Sequence, residues 1–148
     1  LKIEDYVKNQ KFDAITFWHS IEHIHDIRLT FKYISKLLNK EGVLIIAIPN
    51  HDAYERKTYY RNNWIAYDIP RHLYHFTFNT FKQLIEKHDF YIEDYYTMYQ
   101  DTFFNILMSS KSKNPIILIY RIVKSLIHVY QNKKSSSSLL FICRKKYS

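Results

Sequence analysis

Val43 to Asn50, VLIIAIPN, is an apolar run with no alternation, closed by a proline. A strand that is apolar on both faces needs cover on both faces. It therefore belongs inside a largely parallel sheet with helices above and below. Lys11–Ser20, KFDAITFWHS, is a second strand, short and rich in aromatic and β-branched side chains. Between the two, Asp26 can cap a helix through DIRLTFKYISKLLNKEG. Leu29, Tyr33, Ile34, Leu37 and Leu38 repeat at helical spacing, and Gly42 stands as the C-terminal stop. Strand, helix, strand over residues 11–50 is one βαβ unit, expected to be right-handed.

The rest of the chain extends this α/β reading. Residues 51–76 form a long polar-aromatic connection with weak periodicity, too aromatic for a disordered linker. Over residues 77–100, Thr77 or Asn79 caps a helix with Phe81, Leu84, Ile85 and His88 on one side, and the strand YIEDYYTMYQ follows. Residues 101–136 are a basic, mainly helical insertion. Its opening, DTFFNILMSSKSKN, is ambiguous, while Pro115 starts the helix PIILIYRIVKSLIHVYQ. KKSSSS signals a loop, and residues 137–146 give a last strand. All 148 residues fit one domain.

Charge is uneven. Residues 1–101 carry 13 Lys/Arg and all 14 Asp/Glu, whereas residues 102–148 carry 9 Lys/Arg and no acid. Such a basic third favours an anionic partner. In the 115–131 helix, Arg121, Lys124 and His128 form one narrow polar stripe. Peripheral membrane contact through this helix is one expectation. Nucleic acid ranks lower, because no nucleic-acid fold motif accompanies the charge. Cys143 stands alone, so no intrachain disulfide or cysteine-based zinc site exists. LKIEDYVKNQ has no apolar core and does not read as a signal peptide, and no apolar run is long enough to span a bilayer. The expected location is cytoplasmic.

His19-Ser20-Ile21-Glu22-His23 matches H-x-x-E-H, in which two histidines one helical turn apart bind zinc and the glutamate is the base. The flanks oppose a zinc hydrolase. The motif follows directly on a strand, so its histidines straddle a turn and lose their shared face. No metal ligand is assigned. The C-terminal end of a strand in an open α/β sheet is instead where ligands bind. In NNWIAYDIPRHLYHF, Trp64 and Tyr67 offer flat surfaces and Arg71 a partner for carboxylate or phosphate. His72 or His75 offers a base near neutral pH. The bland alternative is that this segment only seats a lid on the sheet.

Taken together, FDAITFWHSIEHIHD, LLNKEGVLIIAIPN and PRHLYHFT with FKQLIEKHDF resemble the C-terminal half of a class I S-adenosylmethionine-dependent methyltransferase. The resemblance is to the methyltransferase domain 23 and ubiquinone-biosynthesis-like groups. It covers residues 11–100 and 137–146. It implies a Rossmann-like sheet of strand order 3-2-1-4-5-7-6, of which this chain holds strands four to seven: Phe12–His19, Val43–Pro49, Tyr91–Tyr99 and Leu139–Lys145. It implies that Trp18, His19 and Ser20 lie near the methionine part of S-adenosylmethionine. Trp64, Tyr67, Arg71 and His75 would then face the acceptor, and His72, in Pro70-Arg71-His72, would be the catalytic base. The acceptor would be a small molecule, lipid-like or sugar-like. The departure is the family's glycine-rich cofactor loop: this sequence has one glycine, Gly42. Asp89 stands where the family has the glycine before strand six. Strands one to three are expected upstream of Leu1 or lost, leaving strand four as an edge that a homodimer could cover. A non-catalytic methyltransferase-like module is the alternative.

Overall fold

The computed structural model describes residues 10–112 and 114–146. The LKIEDYVKN portion of the N-terminal segment lies outside them. Among the described residues, four strands and four α-helices follow in the order β1 (Phe12–Trp18), α1 (Ile27–Leu37), β2 (Leu38–Pro49), α2 (Phe78–Lys87), β3 (Phe90–Thr97), α3 (Tyr99–Ser109), α4 (Pro115–Gln131) and β4 (Ser138–Lys145). They build one sheet of order β1-β2-β4-β3. β1 and β2 are parallel, and β4 runs antiparallel to both β2 and β3. This is the expected order 4-5-7-6. The ambiguous stretch after β3 is helix α3.

β2 is apolar because it is central. Leu44, Ile46, Ala47 and Ile48 are buried, with β1 on one side and β4 on the other. β1 is an edge among the described residues, and most of its side chains are exposed. The buried face of α1 is Ile27, Thr30, Phe31, Ile34 and Leu37, not the series through Leu29 and Tyr33; Leu29 is exposed. Asp26 caps this helix as expected, accepting from the Leu29 amide at 2.9 Å. Thr77 caps α2, with Thr80 completing a reciprocal capping box.

Gly42 does not stop a helix. α1 ends at Leu37, and the chain enters β2 at once. Phe12 pairs with Leu38 but Ala14 with Val43, so Asn39–Gly42 is a bulged stretch. A Cβ on Gly42 would lie 2.8 Å from two carbons of the Leu38 side chain. Glycine is needed there for close packing. At the turn before β3, Asp89 adopts the left-handed conformation at φ 62°, which an aspartate tolerates better than most residues.

The main core lies between α1, α2 and the sheet. Phe81 is fully buried, with its ring centroid 5.6 Å from that of Phe76 and 4.5 Å from that of Phe141. Cys143 is buried too, and burial pushes its thiol up to about 12, which makes it inert. A second cluster joins Ala53, Tyr60 and Trp64 to Ile106 of α3. The serine run is no solvated loop. Ser135 to Ser138 are buried, Asn50 donates its side-chain amide to the Lys134 and Ser136 carbonyls, and the Ser137 hydroxyl donates to buried Glu55. Burial pushes the Glu55 carboxyl above the usual range, an effect the Ser137 hydrogen bond partly offsets.

Phe31→Ala, on the observed buried face of α1, should cost about 3–5 kcal/mol, because the site cannot collapse around the lost ring. Leu29→Ala should stay within about 0.5 kcal/mol. Urea unfolding of both variants separates the observed helix face from the one read off the sequence; equal losses would contradict the observed packing.

Candidate functional site

Side chains from both parallel strand ends meet the connecting segment and α3 around one cavity of about 370 Å³. His19 follows β1, Pro49 ends β2, and Ser138 begins the antiparallel β4, so all three lie at the same edge of the sheet. Ile65, Ala66, Asp68, Arg71 and His72 come from the long connection, and Asp101, Phe104 and Asn105 from α3.

His19 sits at the turn with a left-handed φ of 43°, an uncommon state for a residue with a Cβ. Its amide donates to the Ala47 carbonyl at 3.0 Å, which fixes the turn against β2. The Nε2 atom lies 3.0 Å from Asp101 Oδ2, and Nδ1 lies 3.7 Å from Glu22 Oε1. The Asp101 hydrogen bond, then the Glu22 carboxylate, raise the His19 pKa to about 9 against the opposing effect of burial. At 3.7 Å the Glu22 contact is an ion pair rather than a hydrogen bond. Burial alone would raise Asp101, but hydrogen bonds from His19 and Ser138 outweigh it and hold the carboxyl below its ordinary value.

Glu22 is fully buried in the short 3-10 turn after His19. Neither of its carboxylate oxygens has a hydrogen-bond partner among the described residues. Three bonds bind this turn to the Arg71–Tyr74 strip. The Leu73 amide donates to the Glu22 carbonyl at 2.9 Å, His23 Nδ1 to the Arg71 carbonyl at 2.9 Å, and the Tyr74 hydroxyl to the His25 carbonyl at 3.2 Å. They carry His72 over Glu22. His72 Nδ1 donates to the Ala66 carbonyl at 2.9 Å, which fixes the ring and turns Nε2 toward the carboxylates. That Nε2 lies 3.9 Å from Glu22 Oε1 and 3.9 Å from Asp68 Oδ2.

Other sequence candidates fall elsewhere. Trp18 is 56% exposed at the C-terminal end of the β1 edge, outside the cavity lining. Ser20 precedes the 3-10 turn and also does not line the cavity. Trp64 offers no open surface: it is 3% exposed and packs in the second core cluster. Tyr67 and His75 form a separate polar-aromatic group with His51. The Tyr67 hydroxyl is 3.2 Å from His51 Nε2, and His75 Nε2 lies 3.0 Å from the Tyr67 carbonyl. Arg71 reaches the cavity but is tied to Asp68 at 2.6 Å. Asp101, Phe104 and Asn105 are additions. Their i, i+3, i+4 spacing in DTFFNIL puts them on one helical face, a signal visible only once that stretch is read as a helix.

H-x-x-E-H does not form a zinc-peptidase site. His19 lies outside any helix and binds Asp101, so the two histidines do not share a helical face. Among the described residues, the group able to hold a metal ion is Glu22, His23 and His72, whose ligand atoms lie within 4.8 Å of one another.

A sequence model of the methyltransferase domain matches residues 2–95. The chain belongs to the methyltransferase-domain family. Among proteins of curated function, none matches the sequence significantly. Solved structures share the fold. An S-adenosylmethionine-dependent methyltransferase from Clostridium acetobutylicum ATCC 824 superposes with a TM-score of 0.56 at 15% identity, over 99% of this chain and 63% of that one. One from Thiobacillus denitrificans, in complex with S-adenosyl-L-homocysteine, gives 0.50 at 11% identity, over 95% and 61%. A cyclopropane-fatty-acyl-phospholipid synthase-like protein from Lactobacillus casei ATCC 334 gives 0.50 at 14%, over 95% and 58%. The chain thus spans about three-fifths of the length of each of these. In this methyltransferase domain the cavity occupies the sheet edge where open α/β folds bind ligands.

The His19 ring should titrate with a midpoint near 9, and Asp101→Asn should return it toward 6.5. Because the folded value is raised, the stabilisation is complete below about 6.5 and fades as pH rises through about 9. Histidine NMR across pH 5–10 checks this; a wild-type midpoint near 6.5 would refute the Asp101 pairing.

Proposed function

We propose that this methyltransferase domain takes part in S-adenosylmethionine-dependent methyl transfer to a small acceptor, lipid-like or sugar-like. The observation that carries the reading is the cavity at the strand ends. There Nε2 of His72 faces two carboxylates at 3.9 Å. The volume of about 370 Å³ suits part or all of a small molecule.

The cofactor supplies an electrophilic methyl group when bound. Family membership and the position of Trp18 support a place for it along the open β1 edge. Trp18 leaves a flat indole exposed there, beside the turn holding His19 and Ser20. These residues fit one flank of such a ligand. The family's glycine-rich loop has no counterpart in a sequence with one glycine. The reaction therefore requires that part of the fold from another segment.

The acceptor's proton passes to His72 Nε2. Ala66 holds the opposite ring nitrogen protonated, which orients the ring. The imidazolium that forms is stabilised by Glu22 and Asp68. His19, charged at neutral pH and braced by Asp101, places a positive charge beside Glu22. Pro49, Ile65, Ala66 and Phe104 supply apolar wall that limits water. Arg71, largely exposed at the rim, offers a guanidinium to an anionic acceptor group in exchange for Asp68. Tyr67 and His75 act one layer behind, by holding the connection in place.

A second reading, a non-catalytic methyltransferase-like module, is favoured by the missing glycine-rich loop. Calorimetric titration of the longest native chain with S-adenosylhomocysteine separates the two. Saturable binding is expected, weakened about tenfold by Trp18→Ala. His72→Gln should leave that binding within about twofold yet lower methyl transfer from labelled cofactor to a metabolite extract by about a hundredfold or more. Absence of S-adenosylhomocysteine binding would select the non-catalytic module.

A further inference from the structure

The basic helix of the insertion does not present all of its polar stripe as the sequence implies. Arg121 turns inward. Its Nη1 lies 3.1 Å from Ser110 Oγ and 3.5 Å from the Tyr60 hydroxyl, and its guanidinium lies over the rings of Tyr59 and Tyr60. Ser125 and Val129 are buried on the same inner side, where α4 packs on α3. With Arg121 withdrawn, an apolar stripe faces outward, flanked by the exposed Lys124. Ile116, Tyr120, Val123, Ile127 and Tyr130 follow one another at steps of four and three, and all are exposed, Ile116 to 76% and Tyr130 to 82%. This stripe runs for about 20 Å along the helix.

No helix among the described residues is long and apolar enough to cross a membrane. An apolar stripe on a helix of this length can instead lie in the plane of an interface. The surrounding charge selects the occupant. Residues 102–148 carry nine Lys/Arg and no acid. Lys111 before the helix, Lys124 on it and Lys133 after it are exposed. A second copy seated on this face would bring like charges together with no acid from the same region to pair them. An anionic lipid surface matches both the apolar stripe and the lysines. Tyrosines at positions 120 and 130 suit the boundary between headgroup and acyl chain.

We propose that the outer face of α4 docks on an anionic phospholipid bilayer, with the helix lying parallel to the surface. The apolar stripe of α4 and its flanking lysines carry this proposal independently of the methyl-transfer reading.

The test is co-sedimentation of the full chain with phosphatidylcholine vesicles containing 40% phosphatidylglycerol, against pure phosphatidylcholine vesicles. Binding to the anionic vesicles is expected, about tenfold weaker on the neutral ones and weakened by half-molar salt. The surface variant Val123→Glu with Ile127→Glu should lose about tenfold or more of that binding while keeping the wild-type circular dichroism and melting temperature. Failure of the wild type to sediment with anionic vesicles at low salt would overturn the proposal. Equal binding by the folded double variant would do so too. So would a dimer in sedimentation velocity that the variant disperses, without vesicle binding. S-adenosylhomocysteine titration of the same double variant separates this outcome from that of the methyl-transfer reading.

Discussion

The ladder between β2 and β4 is the constraint on which the rest depends. It pairs Leu44 with Cys143 and Pro49 with Ser138, residues far apart in sequence, through backbone bonds that need no particular side chain. It makes β2 central, which is why both its faces are apolar. It also brings the serine run under Asn50, where the Asn50 side chain and Glu55 take up its polar groups. The 51–67 segment is thereby held from two sides, by the Ser137–Glu55 hydrogen bond and by the second core cluster on α3.

The same ladder sets the chemistry of the cavity. Antiparallel β4 begins where parallel β1 and β2 end, so Ser138, His19 and Pro49 share one edge. The Met98 amide donates to the Ser138 carbonyl, which starts α3 at that edge and delivers Asp101 to His19. Glu22 is then buried beside the raised-pKa His19 on one side and His72 Nε2 on the other. A buried carboxylate is costly unless it is paired. Here the charge of His19 supplies the pairing, and the groups that stabilise Glu22 are those that face the cavity.

Much of the architecture was legible from pattern. The apolar run at Val43–Pro49, the cap at Asp26, the start of α4 at Pro115 and the turn at Asp89 are local signals, and the structure keeps them all. Gly42 and Leu29 misled. A glycine after a helix reads as a stop whether it takes a left-handed turn or relieves a close contact. Two helical faces differing by a small rotation give nearly the same spacing. The site was half legible. His19 and His72 follow from their places at a strand end and in the connection, but Trp64 was read as a contact surface because an indole serves equally well in a core.

What the sequence determined by itself is the set of elements and their class. Periodicity, caps and apolar runs act over a few residues, and they point to helices flanking a strand sheet with a ligand edge after its first strand. What only the tertiary structure decided is which polar groups meet. Asp101 reaches His19 across more than eighty residues, His72 settles over Glu22, and Arg121 turns inward to leave an apolar stripe on the outside of α4. Those choices follow from burial, because a charged or aromatic side chain takes its partner from whatever the packed chain brings within a few ångströms, and sequence distance carries no record of that.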